Sequence, residues 1–150
     1  MKNKALFLDR DGVINEVAVA GEYVISREAF RLRLSSIPLI RFARAAGYLV
    51  VVVTNQRGVS LGKMTQADLD DVHAYMRKLL AAEEADVDAI YSCVHGLDDG
   101  CDCRKPKAGM LLQAAHDLDI DLSESVMVGN HETDIAAGKA AGCKICLLIK

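Results

Sequence analysis

Short runs of apolar residues alternate along this chain with longer stretches in which apolar and polar positions mix at helical spacing. The first run, ALFL at residues 5–8, ends abruptly at Asp9. The clearest is YLVVVV at 48–53, a solid β-branched stretch of the kind found in strands buried on both faces. Weaker runs follow at 89–92, at 126–128 (VMV) and at 144–149 (KICLLI). Between them the pattern predicts helices over 36–46, 65–82, 108–118 and 132–141. The first has Pro38 in its opening turn and Gly47 just beyond its end; the second opens on Thr65 with a capping-type TQAD; the last is followed by Gly142. Residues 12–35 fit no helix, and with Gly12, Gly21 and short alternating stretches they predict a loop or small β-flap over the carboxyl edge of the sheet.

Strands that alternate with helices predict a parallel sheet covered on both faces. The expected fold is α/β: one Rossmann-like three-layer domain over residues 1–150, with no large cap domain. Its 150 residues suit one compact core, and 51% hydrophobic against 26% charged residues excludes disorder. A formal charge of −3 argues against a nucleic-acid duplex as partner. No apolar stretch reaches membrane-spanning length and no secretory signal is visible, so a cytoplasmic chain without membrane contact is expected. In that compartment the five cysteines are ligands or core residues rather than disulfides. With no obvious exposed apolar stripe, a monomer is expected.

Chemistry collects where the strands end, the edge at which open α/β sheets bind ligands. Asp9 and Asp11, spaced i, i+2 in DRDG, would face one crevice while Arg10 points away; alternatively they cap the turn at Gly12. The second strand runs into Thr54, Asn55, Gln56 and Arg57, groups that suit phosphate oxygens but also ordinary turn chemistry. The fourth runs into GNHETD, where Asn130 and Asp134 offer oxygen ligands for Mg²⁺, or simply an N-cap with an acidic first turn.

After the third strand, Cys93, His95, Cys101 and Cys103 form C-x-H-x5-C-x-C. Cys₃His is a regular donor set for tetrahedral Zn²⁺, and four protein ligands make a closed, structural site; disulfides or core cysteines are the competing reading. Zinc would cross-link this Gly/Asp-rich loop and aim the cations that follow, Arg104 and Lys105, at the carboxylates. Cys143 and Cys146, at odd separation, are expected as apolar filler on opposite faces of the last strand, and His73 and His116 as ordinary helix residues.

In order, Asp9-x-Asp11-Gly12, Thr54, Lys105 and Gly129-Asn130-x-x-x-Asp134 resemble the four motifs of the haloacid dehalogenase superfamily of phosphotransferases. FLDRDGVIN, TNQRGV, CDCRKPKAGM and the zinc ligands narrow the resemblance to its capless, zinc-containing branch of heptose-bisphosphate phosphatases and histidinol-phosphatase domains. The resemblance implies a Mg²⁺-dependent phosphatase acting on a small phosphorylated sugar, a heptose 1,7-bisphosphate ahead of histidinol phosphate. It implies Asp9 as nucleophile, Asp11 as general acid/base, and Mg²⁺ on Asp9, the Asp11 carbonyl and position 130, with Asp134 in support. Thr54 and Lys105 would neutralise the transferring group, and Asn55, Gln56, Arg57 and Arg104 would hold the rest of the substrate. Asn130 stands where the superfamily usually has Asp, which predicts weaker Mg²⁺ binding. Leu61 replaces a usual cation of the heptose enzymes; the short zinc loop is closer to the histidinol form, whereas GKMT at 62–65 is closer to the heptose form. Two non-enzymatic readings stand beside these: a receiver-like phospho-switch and a zinc-ordered binding module.

Overall fold

A computed structural model describes residues 2–19 and 22–150. Five strands, β1 (Ala5–Leu8), β2 (Leu49–Asn55), β3 (Ala89–Cys93), β4 (Val126–Gly129) and β5 (Ile145–Leu148), pair in the order β3-β2-β1-β4-β5, and every pairing is parallel. Four α-helices connect them: α1 (Ser36–Ala45), α2 (Gln66–Ala82), α3 (Gly109–Leu118) and α4 (Glu132–Ala141). Each predicted strand and helix is present, with ends shifted by a residue or two.

Alternation along the central strands sorts side chains into two cores. Leu6, Leu8, Val50 and Val52 pack against Ile37 and Ile40 of α1 and Val72, Met76 and Leu80 of α2. Ala5, Phe7, Val51, Val53 and Met127 pack against Met110, Leu111 and Ala114 of α3 and Ala137 of α4. Burial on both faces explains why β1 and β2 read as unbroken apolar runs. The start of α2 follows its sequence closely: Asp68 N donates to Thr65 Oγ1 at 3.1 Å and Thr65 N to Asp68 Oδ2 at 2.9 Å, a reciprocal cap.

Among the described residues, the segment between β1 and α1 holds a 3-10 turn (Arg27–Ala29) and one antiparallel bridge, Asn15 to Leu32, in place of longer flap strands. Ala20 and Gly21, inside the expected flap, lie outside the described residues. Cys143 and Cys146 depart from expectation. Cys143 precedes β5, and both side chains pack on the α3/α4 core cluster rather than on opposite faces. Burial and the neighbouring Cys146 push the Cys143 thiol up to about 12.

The chain crosses from β1 to β2 on one side and later returns to lay β4 on the other side of β1. The crevice at the carboxyl ends of β1 and β4 lies where the strand order reverses, the place this topology reserves for ligands. Among the described residues, no helix is long and apolar enough to cross a membrane.

Candidate active site

Asp9 and Asp11 leave the end of β1 and line one crevice with Asn55 from β2, Arg104 and Lys105 from the cysteine loop, and His131, Thr133 and Asp134 from the start of α4. Asp9 Oδ1 accepts from the Arg10 backbone N–H at 2.8 Å and from Lys105 Nζ at 2.9 Å. Lys105 is buried and donates also to the Val53 carbonyl, at 2.9 Å, and to Asp134 Oδ1. All three ammonium protons therefore have acceptors, and two of those are carboxylates. Burial nevertheless raises Asp9 to about 6; Lys105 pulls it down and Asp134 pushes it up.

Asp134 Oδ2 accepts from the backbone N–H groups of Asn130 and His131, both at 3.1 Å, and so caps α4. Both Asp134 oxygens are thus engaged with protein donors. Gly129 is required beside it, because a Cβ there would overlap the Asp134 side chain. Gly12, at φ +89°, takes a turn that other residues rarely adopt and brings the backbone against the Asn130 side chain.

On one side Asn130 faces the Asp11 carbonyl, Asp9 Oδ2 and His131 Nδ1. With the amide nitrogen turned toward them it donates over 3.2, 3.1 and 3.0 Å. A half-turn of the amide presents its oxygen instead. Asp9 Oδ2, the Asp11 carbonyl and that oxygen then make a hard, all-oxygen donor set of the kind Mg²⁺ takes with a few protein ligands. The residues fit the ion, with one negative charge fewer than an Asp at position 130 would give.

Asp11 differs sharply from Asp9. Burial raises its carboxyl, but the Arg10 charge and hydrogen bonds from Asn15, Arg10 and Gln56 outweigh that and hold it below the usual range. Arg10 does not point away as the strand alternation predicts. The chain has already left the strand there, and the guanidinium, fully buried, curls back onto Asp11. Thr54 is buried and its hydroxyl accepts from Gln56 Nε2 at 2.8 Å; the same amide reaches Asp11 Oδ2 at 3.2 Å. Asn55 exchanges hydrogen bonds with the Lys105 backbone, 3.1 Å as donor and 3.0 Å as acceptor, tying β2 to the cysteine loop. Arg57 instead approaches the Tyr23 hydroxyl at 3.3–3.4 Å, on the flap side. Arg104 Nη1 is buried without a hydrogen-bond partner among the described residues, an orphaned cationic donor beside the crevice.

Cys93, His95, Cys101 and Cys103 come together as the spacing predicts, with donor atoms all within 4.8 Å of one another. Cys93 Sγ lies 3.6 Å from Cys101 Sγ and 3.5 Å from His95 Nδ1, and His95 Nδ1 lies 3.2 Å from Cys103 Sγ. A tetrahedron built on Zn–S bonds of about 2.3 Å has edges of roughly 3.5–3.8 Å, so the donor set is already near the geometry zinc requires.

Four site residues escape the sequence reading: Arg10, His73, His131 and Thr133. His73 carried a signal, since Leu69, His73, Met76 and Leu80 form one helical stripe and its neighbours on that stripe are core residues. Burial and the nearby Arg10 charge lower His73 to about 4, which keeps it neutral near neutral pH.

Known proteins resemble this chain in sequence and fold. The profile of the HAD-hydrolase-like family matches residues 102–149. The D-glycero-alpha-D-manno-heptose-1,7-bisphosphate 7-phosphatase of Campylobacter jejuni is 40% identical over 99% of this chain and 84% of its own length. The chain belongs to the haloacid dehalogenase-like phosphatase family. Among its HAD-like relatives, the D-glycero-beta-D-manno-heptose-1,7-bisphosphate 7-phosphatase of Helicobacter pylori is 39% identical over 98% of this chain and 84% of its own. The crystal structure of D,D-heptose 1,7-bisphosphate phosphatase from B. bronchiseptica, complexed with magnesium and phosphate, superposes with a TM-score of 0.87. It shares 39% identity and is covered over 78% of its length, against 95% of this chain. A HAD-like phosphatase fold from Mesorhizobium loti superposes at 0.91, with 36% identity over 98% of this chain and 72% of the other.

Proposed function

We propose that this protein is a Mg²⁺-dependent phosphatase that removes the 7-phosphate of a D-glycero-D-manno-heptose 1,7-bisphosphate through an aspartyl-phosphate intermediate. The observation that carries the chemistry is a single crevice at the end of β1 in which Asp9, hydrogen-bonded to Lys105 at 2.9 Å, stands beside Asp11. Lys105 favours the ionised form that a nucleophile needs, against the rise that burial of Asp9 causes. The relatives' names carry the substrate.

Asp9 attacks phosphorus, forming the Asp9 O–P bond as the bond to the sugar C7 oxygen breaks. Asp11, whose resting carboxyl is held low, must first take up a proton from solvent, which it then gives to the departing alkoxide. A water then attacks the aspartyl phosphate, Asp11 takes back a proton from it, and the P–O bond to Asp9 breaks to release phosphate. Such acid/base assistance is typically worth about 10²–10⁴ in rate. Lys105 offsets charge on Asp9 and the transferring group, and the unpaired Arg104 donor and Asn55 face the bound phosphosugar. Thr54 works through Gln56, which it holds against Asp11. Mg²⁺ held by Asp9, the Asp11 carbonyl and Asn130 would supply charge neutralisation between two anions. Asp134 orients Asn130 and Lys105 with both its oxygens. Cys93, His95, Cys101 and Cys103 would hold a structural Zn²⁺, which would fix the loop that presents Arg104 and Lys105.

The test is phosphate release with Mg²⁺ from both anomers of heptose 1,7-bisphosphate, histidinol phosphate and several hexose phosphates, with Asp9→Asn alongside. Preference for a heptose bisphosphate, abolished in Asp9→Asn, is expected. Preference for histidinol phosphate, or turnover that survives in Asp9→Asn, would overturn the reading.

A further inference from the structure

The reaction above leaves two buried side chains unused, Arg10 at the end of β1 and His73 on α2. The Arg10 side chain is 0% exposed, yet it is not sequestered from the site. Its Nε and Nη2 both point at one oxygen of Asp11, Oδ1, at 3.1 and 2.8 Å, and Asn15 Nδ2 adds a third donor to the same oxygen at 2.9 Å. The other oxygen, Oδ2, has a single described donor, Gln56 Nε2 at 3.2 Å. The two oxygens are therefore inequivalent: Oδ1 is saturated, and Oδ2 is left able to take a proton.

The far side of the guanidinium is fixed as well. Arg10 Nη1 lies 3.1 Å from His73 Nε2. A guanidinium has only donors, so Nε2 must supply the lone pair and the ring proton must sit on Nδ1. The choice of imidazole matters electrostatically. A carboxylate at this position would share the guanidinium charge, whereas a neutral ring holds Arg10 in place and leaves that charge to Asp11.

We propose that Arg10 and His73 are positioning residues for Asp11: His73 Nε2 anchors Arg10, Arg10 clamps Asp11 Oδ1, and Oδ2 is the oxygen that exchanges the proton with leaving group and water. The proposal rests on the acid/base role given to Asp11 above. It assigns a task to a helix residue some 60 positions away in sequence, since the Arg10–His73 contact spans 63 residues.

The experiment compares wild type, His73→Leu and His73→Gln on two substrates, an alkyl phosphate and p-nitrophenyl phosphate, whose leaving group departs without a proton. His73→Leu removes the acceptor; the Gln amide oxygen can replace it. Displacing a catalytic group by about 1 Å can cost 10²-fold, so His73→Leu should lower kcat/KM on the alkyl phosphate by about 10- to 100-fold. The loss on the aryl phosphate should be at least several-fold smaller, KM should change little, and His73→Gln should recover most of the rate. Equal losses on both substrates, or a Gln variant no better than Leu, would overturn the positioning role. A direct readout needs no turnover: ¹⁵N NMR of histidine-labelled wild type should show His73 as the neutral Nδ1–H tautomer, and an Nε2–H tautomer would overturn the anchor. If wild type hydrolyses neither substrate while the Nδ1–H tautomer is seen, the anchor stands and the phosphatase reading falls, taking the catalytic purpose of the anchor with it.

Discussion

Lys105→Met is the substitution that most directly tests how this site is held together. The lysine side chain is 2% exposed, and its ammonium lies 2.9 Å from Asp9 Oδ1, 2.9 Å from the Val53 carbonyl and against Asp134 Oδ1. At an effective dielectric of about 20, a pair of charges this close attracts by roughly 6 kcal/mol, much of which offsets the desolvation of both ions. Removing one partner forfeits the attraction and leaves the desolvation in place, so the expected net loss is about 3–5 kcal/mol. Methionine fills most of the volume, so packing contributes little. The loss must also depend on pH. Without Lys105, burial and Asp134 act on Asp9 unopposed, and its carboxyl rises further above about 6. A carboxyl with a native pKa above its unfolded value binds more protons folded than unfolded between the two, so stability falls as pH rises through that window. Urea denaturation in Mg²⁺-free buffer should therefore show the full deficit at pH 8 and a clearly smaller one at pH 5.5. A deficit below about 1 kcal/mol at pH 8, or one independent of pH, would refute the claim that Lys105 balances two buried carboxylates. Phosphatase activity should be lost in the same variant.

Three further outcomes follow from the same geometry. Asn130→Asp restores a negative charge beside Asp9 and removes an amide donor, so Mg²⁺ affinity by calorimetry should rise about tenfold or more, and an unchanged affinity would contradict the placement of Asn130 at the cation. The purified chain should carry about one equivalent of zinc by elemental analysis, Cys101→Ser should lose it, and both that variant and chelator-treated protein should melt lower; zinc-free protein with unchanged melting and activity would rule out the structural role. Gly129→Ala should cost about 1–3 kcal/mol in denaturant and lower activity by pushing Asp134 off Lys105 and the α4 amides; a stable, fully active variant would show that the close approach is not needed.

A good deal of this molecule was legible in its sequence because the informative features are local. Strands buried on both faces must be apolar at every position, so β1 and β2 announce themselves, and the residues that follow them fall at the ligand-binding edge of any parallel sheet. Cys93, His95, Cys101 and Cys103 lie within eleven positions of one another, a range over which spacing alone constrains geometry. The capping box of α2 is likewise written in four consecutive residues.

What the tertiary structure decided is which charges meet. Lys105 and Asp9 are 96 residues apart, and Arg10 and His73 are 63 apart; each contact depends on strand order and on which helix covers which face. Alternation gave Arg10 the wrong direction because the strand ends before it, and Cys143 the wrong face because β5 begins after it. Hydrophobic pattern records how much of a residue is buried, and sequence motifs record which groups gather at an edge. Neither records the partner of a buried charge, because that partner is fixed by the packing of elements distant in the chain, where a few ångströms determine whether a carboxylate is raised by burial or lowered by a guanidinium.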